Sequence, residues 1–178
     1  MTTTTATHEM PPAIITHSVA AIRGEQKAGI DVYYARTPDA RISVSFGGVL
    51  MVFYNCQAVQ GLLEAFTAAR GHSAMLPEQL PAPRAGGDEP VAHTTVAIEW
   101  TRRPNFAAVA QSGPNRLKSA HLHWVDLHVG PVTWQIRDRI ALRSTIEMLA
   151  DVHKTAIAVF NDGEKYSADP TAIDYRAA

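Results

Sequence analysis

The sequence predicts an α+β protein built from two related antiparallel β-sheet halves, a ββββα-like repeat in which a helix closes each half. Three observations carry that expectation. Apolar residues alternate with period two at residues 30–36 and 94–102, the signature of half-buried strands. Two later segments switch to a helical stripe, each introduced by a side chain suited to capping. Finally, short blocks recur in the same order along the chain.

Residues 1–12 are Thr-rich and end in Pro-Pro, which reads as a flexible arm. A first strand is expected within 13–23. Residues 30–36 place Ile30, Val32, Tyr34 and Arg36 on one face, and the following Thr-Pro-Asp makes a turn. Residues 41–46 form the next strand, Gly47-Gly48 allow a tight hairpin, and 49–54 (VLMVFY) return. That return strand is apolar on both faces, so it must be central or part of an interface. Asn55 caps a helix whose stripe is Val59, Leu62, Leu63 and Phe66, closed by Gly71. This completes a first half over 13–71.

Residues 72–93 hold four Pro and two Gly and read as a linker. The second half spans 94–160. Its strands are 94–102, with Val96, Ile98, Trp100 and Arg102 on one face, then 106–111, 120–129 and 132–137. Asp138 caps a helix with Leu142, Ile146, Leu149 and His153 on its stripe. Residues 161–178 form an acidic tail with Asp162, Glu164, Asp169 and Asp174.

Two offsets relate the halves. VYYARTPDA (32–40) resembles IEWTRRPNF (98–106) at a shift of 66. At a shift of 83, Gly47 matches Gly130, Val49 matches Val132, Asn55 matches Asp138, and Val59, Leu63 and Phe66 match Leu142, Ile146 and Leu149. The 17-residue difference between the offsets falls around SGPNRLKS (112–119). Internal duplication accounts for the blocks and their shared order. Two four-stranded antiparallel sheets, each followed by a helix, in a chain of this length is similar to the Whirly-type single-stranded nucleic-acid-binding fold. The resemblance lies in order and length, without that family's short basic sheet motif. It implies binding of single-stranded DNA or RNA.

The apolar content of 46% and charged content of 19% are those of a globular chain. No apolar run reaches the roughly 18 residues of a membrane span, and the N-terminal residues resemble no secretory signal, so a cytoplasmic protein is expected. The single Cys56 excludes an internal disulfide and reads as a small buried thiol.

The net charge of −1 conceals an uneven distribution. Residues 101–145 carry seven basic and two acidic side chains, whereas the segments on either side are acidic. Non-catalytic single-stranded binding needs cations for phosphates and aromatic faces for bases. Arg102, Arg103, Arg116, Lys118, Arg137 and Arg139 offer the first, and Trp124 and Phe106 the second. Trp100 and Trp134 share faces with aliphatic residues and read as core. A second reading is a structural or protein-interaction module, of a mobile element or virion, that docks on copies of itself as a homo-oligomer or on a protein partner. A third is a metal-dependent enzyme, since His121 and His123 of SAHLHWVDLHVG project from one strand face. No Gly-rich phosphate loop, CxxC, GxSxG or HExxH is present, and no cofactor is expected.

Overall fold

The computed structural model describes residues 15–81 and 94–176. The expected arm at 1–12, most of the expected linker, and the last two residues lie outside the described residues. The order is β1 (Ser18–Ile22), β2 (Ala28–Tyr33), β3 (Arg41–Phe46), β4 (Val49–Phe53), α1 (Cys56–Ala68), β5 (Val96–Trp100), β6 (Phe106–Pro114), β7 (His121–Val129), β8 (Val132–Ile136) and α2 (Arg139–Val159). A 3₁₀ helix, Ala69–Met75, continues α1, so Gly71 lies inside this turn rather than ending the helix. The class is α+β, with two four-stranded sheets and two helices.

Sheet membership crosses between the halves. One sheet runs β2-β3-β4-β5 and the other β1-β8-β7-β6. Each therefore has three antiparallel strands from its own half and one parallel edge strand from the other. The helices cross as well: α1 packs on β6 and β7, and α2 on β2 and β3. A parallel pair needs a long connection, and here the strands and helix between β1 and β8 supply it.

This exchange identifies which of the two offsets is structural. Val96 N–H donates to the Gly48 carbonyl (3.0 Å), and Ser18 N–H to the Pro131 carbonyl (2.9 Å). Tyr54 N–H donates to Trp100 (3.3 Å), and Arg137 N–H to Ile22 (3.0 Å). The acceptors Gly48 and Pro131, like the donors Tyr54 and Arg137, are matched by the shift of 83. The counterpart of β5 is thus β1, at a shift of 78, and not β2. VYYARTPDA forms an antiparallel edge and IEWTRRPNF a parallel one, so their likeness is a shared strand-turn pattern. The strand expected over 30–36 also stops at Tyr33, because Tyr34 and Arg36 adopt left-handed backbone (φ 51° and 61°).

The shift of 83 is repeated in local detail. Gly47 and Gly130 both turn their hairpins at positive φ, 56° and 52°, which glycine reaches without steric cost. Asn55 accepts from Ala58 N–H and Asp138 from Ala141 N–H, each at 2.8 Å. Every helical stripe residue named from the sequence is buried. The core joins both sheets through Trp134, whose ring lies 5.6 Å from Phe46 of β3 and 5.7 Å from Phe66 of α1. Trp100 is buried too, as its alternation requires.

β2 matches β6 at the same shift of 78, since Ala28 opposite Phe46 corresponds to Phe106 opposite Val129. The second hairpin is therefore longer by the difference between the shifts of 83 and 78, which is 5 residues, and not by 17. β6 and β7 pair over nine positions, from Phe106 opposite Val129 to Pro114 opposite His121. Asn115 closes the turn, accepting from Ser119 N–H (2.9 Å), while its own N–H donates to Ala120 (2.8 Å).

The acidic C-terminal segment is docked rather than free over 161–176. Asp162 accepts from Cys56 N–H (2.9 Å) and Gln57 N–H (3.2 Å), satisfying the first two donors of α1. In the second copy the Pro77 and Glu78 carbonyls satisfy Arg139 and Ile140 instead. Gln60 Nε2 donates to the Tyr166 and Ala168 carbonyls (3.2 and 2.9 Å), and His153 Nε2 meets Tyr166 O at 2.8 Å.

Candidate functional site

The basic segment of the sequence divides into three groups in space. Arg103 and Arg139 are committed to partners within the fold. Arg103 forms an ion pair with Glu64 of α1, bonds Gln60 (3.1 Å) and meets Tyr175 OH (3.3 Å). Its side chain is 22% exposed and that of Glu64 18%, so the pair is largely withdrawn from solvent. A Cβ on Gly61 would stand 2.6 Å from Arg103 Cγ, so the helix carries glycine where this arginine passes. Arg139 donates to Ser73 and Ala74 carbonyls (both 3.1 Å) and pairs with Glu78 at 3.4 Å, and Arg143 pairs with the same Glu78 at 2.7 Å. These arginines hold the 3₁₀ helix and the chain beyond it against α2.

Arg102 stands apart, exposed in the loop before β6. It lines a cleft of about 500 Å³ with Glu99, Trp100 and Pro131. Since β6 rises about 3.4 Å per residue, Arg102 is roughly 25–30 Å from the far end of that hairpin.

The remaining cations lie toward that far end. The β6–β7 turn carries Arg116 and Lys118, both exposed. β7 begins there with His121 and His123, and Arg137, which follows β8, comes one step past the pairing of Ile136 with Val125. The parallel pairing of Ile22 with Ile136 brings Arg23 to the same rim. A cleft of about 530 Å³ is lined by Arg23, Arg137, His121 and His123, with apolar walls from Met75, Leu76 and Leu80. Among the described residues, Arg23, Arg116, Lys118 and Arg137 have no ion-pair partner.

Trp124 lies on the opposite face of β7 from His121 and His123 and meets this group through Arg137. Its Nε1–H donates to Asp126 (3.0 Å), and a Cβ on Gly113 would meet its ring at 3.4 Å, so the indole lies across β6 where no side chain intervenes. The Arg137 guanidinium sits 5.1 Å from the ring centroid, a cation–π pair. Phe106 is not its companion. Phe106 pairs with Val129 on the core-facing side at the opposite end of β6, half-buried against the core. The two aromatic residues expected to stack bases are therefore on opposite faces of one sheet.

His121 and His123 do share a face, with ring centroids 5.7 Å apart. His128 lies at the other end of β7 and meets Thr133 Oγ1 at 2.8 Å, and that hydroxyl also meets His17 Nε2 at 3.0 Å. Among the described residues no three His, Cys, Asp or Glu side chains converge as metal ligands. Two arginines in the same cleft repel a cation and attract an anion.

Sequence reasoning placed Arg116, Lys118, Arg137 and Trp124 in the candidate set but missed Arg23. Its only signal was that it follows a strand, and the partner of that strand lies in the distant second half. No family model, curated protein or solved structure matches this chain. No helix among the described residues is long and apolar enough to cross a membrane.

Proposed function

We propose that the chain is a non-catalytic protein binding single-stranded DNA or RNA at the β7–β8 rim. The observation that carries this is that Arg137 both stacks on Trp124 and lines a cleft with Arg23, on the sheet whose β6–β7 turn exposes Arg116 and Lys118. Cations tracking a backbone beside a stacking surface are the two requirements of single-strand recognition. An arginine plane stacks on a base much as an aromatic ring does. Arg23 joins the set proposed for phosphate contact. Arg103 and Arg139 leave it because their guanidinium groups already have carboxylate partners. Arg102 and Phe106 lie at the other end of β6, so they would meet a strand only as it leaves the rim. The Whirly-type likeness expected from element order and length is part of this proposal, and the offset of 83 supports internal duplication.

The test is fluorescence anisotropy with a labelled oligothymidylate and with a duplex of equal length. Tighter binding of the single strand at low salt, weakening as salt rises, supports the reading. Absence of binding at low salt refutes it.

One observation favours assembly as a second reading. β6 is the outer strand of its sheet, nine residues long, with no charged side chain. Natural sheets usually guard such edges with charge or proline, and here the one proline, Pro114, sits at the last position. Pairing of β6 with a second copy would make a homo-oligomer, and light scattering across concentration would detect it. A monomer at all concentrations excludes it.

A further inference from the structure

The correspondence between the halves extends to their solvent-facing surfaces. The shift of 83 carries Arg41 onto Trp124 and Tyr54 onto Arg137. Arg41 opens β3 as Trp124 lies on β7, and Tyr54 follows β4 as Arg137 follows β8. Each pair lies one step beyond matching cross-strand partners, Ile42 with Phe53 in one sheet and Val125 with Ile136 in the other. The two sheets thus present a cation and an aromatic ring at one equivalent place, with the residue types exchanged.

The first sheet adds more aromatic surface. The Arg41 guanidinium is 4.9 Å from the Tyr33 ring and 5.9 Å from the Tyr34 ring. Tyr33, Tyr34 and Tyr54 are 40%, 64% and 40% exposed. Tyr34 has left-handed backbone (φ 51°), which is costly for a bulky residue and concentrates at functional positions. The strain is held from two sides. Thr37 donates to the Tyr34 carbonyl from N–H (3.2 Å) and Oγ1 (2.6 Å). Arg36 N–H donates to Val159 (2.8 Å), and its guanidinium reaches the Phe160 and Ile157 carbonyls at the end of α2 (both 3.3 Å). The chain is pinned so that a large ring stands in solvent beside Arg41.

We infer that Tyr33, Tyr34, Tyr54 and Arg41 form a second stacking site, which takes unpaired bases of the strand gripped at the Trp124 rim. This inference rests on the proposed function. The chemistry of the site differs from that of the rim. Asp31 shares the face of Tyr33, Glu99 accepts from Tyr54 OH (3.1 Å), and Arg41 is the single cation among them. The face has no excess positive charge for phosphates and offers π surface to bases instead.

The test is anisotropy with labelled oligothymidylate on Tyr34→Gly, Tyr33→Ala and the double variant. Glycine suits a left-handed position, so Tyr34→Gly removes the ring and the strain together and leaves the fold at least as stable by denaturant midpoint. Affinity is expected to fall by roughly fivefold or more per ring, with the slope of log affinity against log salt unchanged. Tyr34→Trp is expected to keep wild-type affinity. A double variant that binds like wild type, while Arg137→Ala weakens binding, overturns this site and leaves the rim standing. A wild-type protein that binds no oligonucleotide overturns both.

Discussion

Asn55 and Asp138, matched across the two halves, perform one task with two chemistries. Each caps a helix through its side-chain oxygen, and each also ties down the chain leaving the exchanged edge strand. Asn55 Nδ2 donates to the Thr101 carbonyl (2.7 Å), whereas Asp138 accepts from Gly24 N–H at 2.9 and 3.1 Å. The amide is required where a carbonyl approaches and the carboxylate where an N–H approaches.

The caps therefore differ in weight. Asp138 is fully buried and also accepts from Leu80 N–H (3.1 Å). Asn55→Ala is expected to cost about 1 kcal/mol, the usual value for a lost cap. Asp138→Ala also strands two half-buried donors, Gly24 N–H and Leu80 N–H, and should cost at least about 2 kcal/mol more. Urea denaturation of the two variants measures the difference, and equal costs would contradict the assignment.

Arg103 is a structural cation in this account. Arg103→Ala leaves Glu64 half-buried and unpaired and should cost about 2 kcal/mol of stability. Gly61→Ala should destabilise the same contact, since the new Cβ would meet Arg103 Cγ and, at 3.0 Å, Pro104 Cδ. Neither change should alter the salt dependence of oligonucleotide binding once the protein is folded. Denaturation and anisotropy on the same samples separate the two effects.

Cys56 gives a pH signature. Burial, and then the neighbouring Asp162 charge, pushes its thiol from 9.0 up to about 12. The unfolded thiol ionises near 9.0 while the folded one stays protonated. Its contribution is whole below that pH and is lost as pH rises toward about 12. Cys56→Ser should flatten the alkaline fall in stability. At neutral pH the thiol should resist iodoacetamide until the protein is unfolded.

Asp162 links that thiol to the C-terminal segment. Asp162→Ala removes acceptors from two α1 donors and should release residues 161–176 from the helix pair. Faster alkylation of Cys56 and earlier cleavage of this segment by protease are the expected readouts. Unchanged rates would contradict the docking.

Local chemistry explains what the sequence made legible. Hairpin glycines, caps and helical stripes depend on residues a few positions apart, so Gly47, Gly130, Asn55, Asp138 and the stripe residues could be read directly. The exchange of β1 and β5 could not, because a short edge strand pairs as well with either sheet by pattern alone. Charge was misleading for the same reason. Counting residues 101–145 as one basic block ignored Glu64 and Glu78, which come from the first half and the linker and neutralise Arg103, Arg139 and Arg143. It also omitted Arg23, which only the pairing of β1 with β8 brings to the rim.

The rim itself is tested most directly by the salt dependence of oligothymidylate binding in wild type and in single alanine variants of Arg23, Arg116, Lys118 and Arg137. Each cation that contacts a phosphate should reduce the slope of log affinity against log salt by about one when removed. Arg139→Ala should leave the slope unchanged. Slopes that stay at the wild-type value in all four rim variants, or wild-type binding indifferent to salt, would contradict the account.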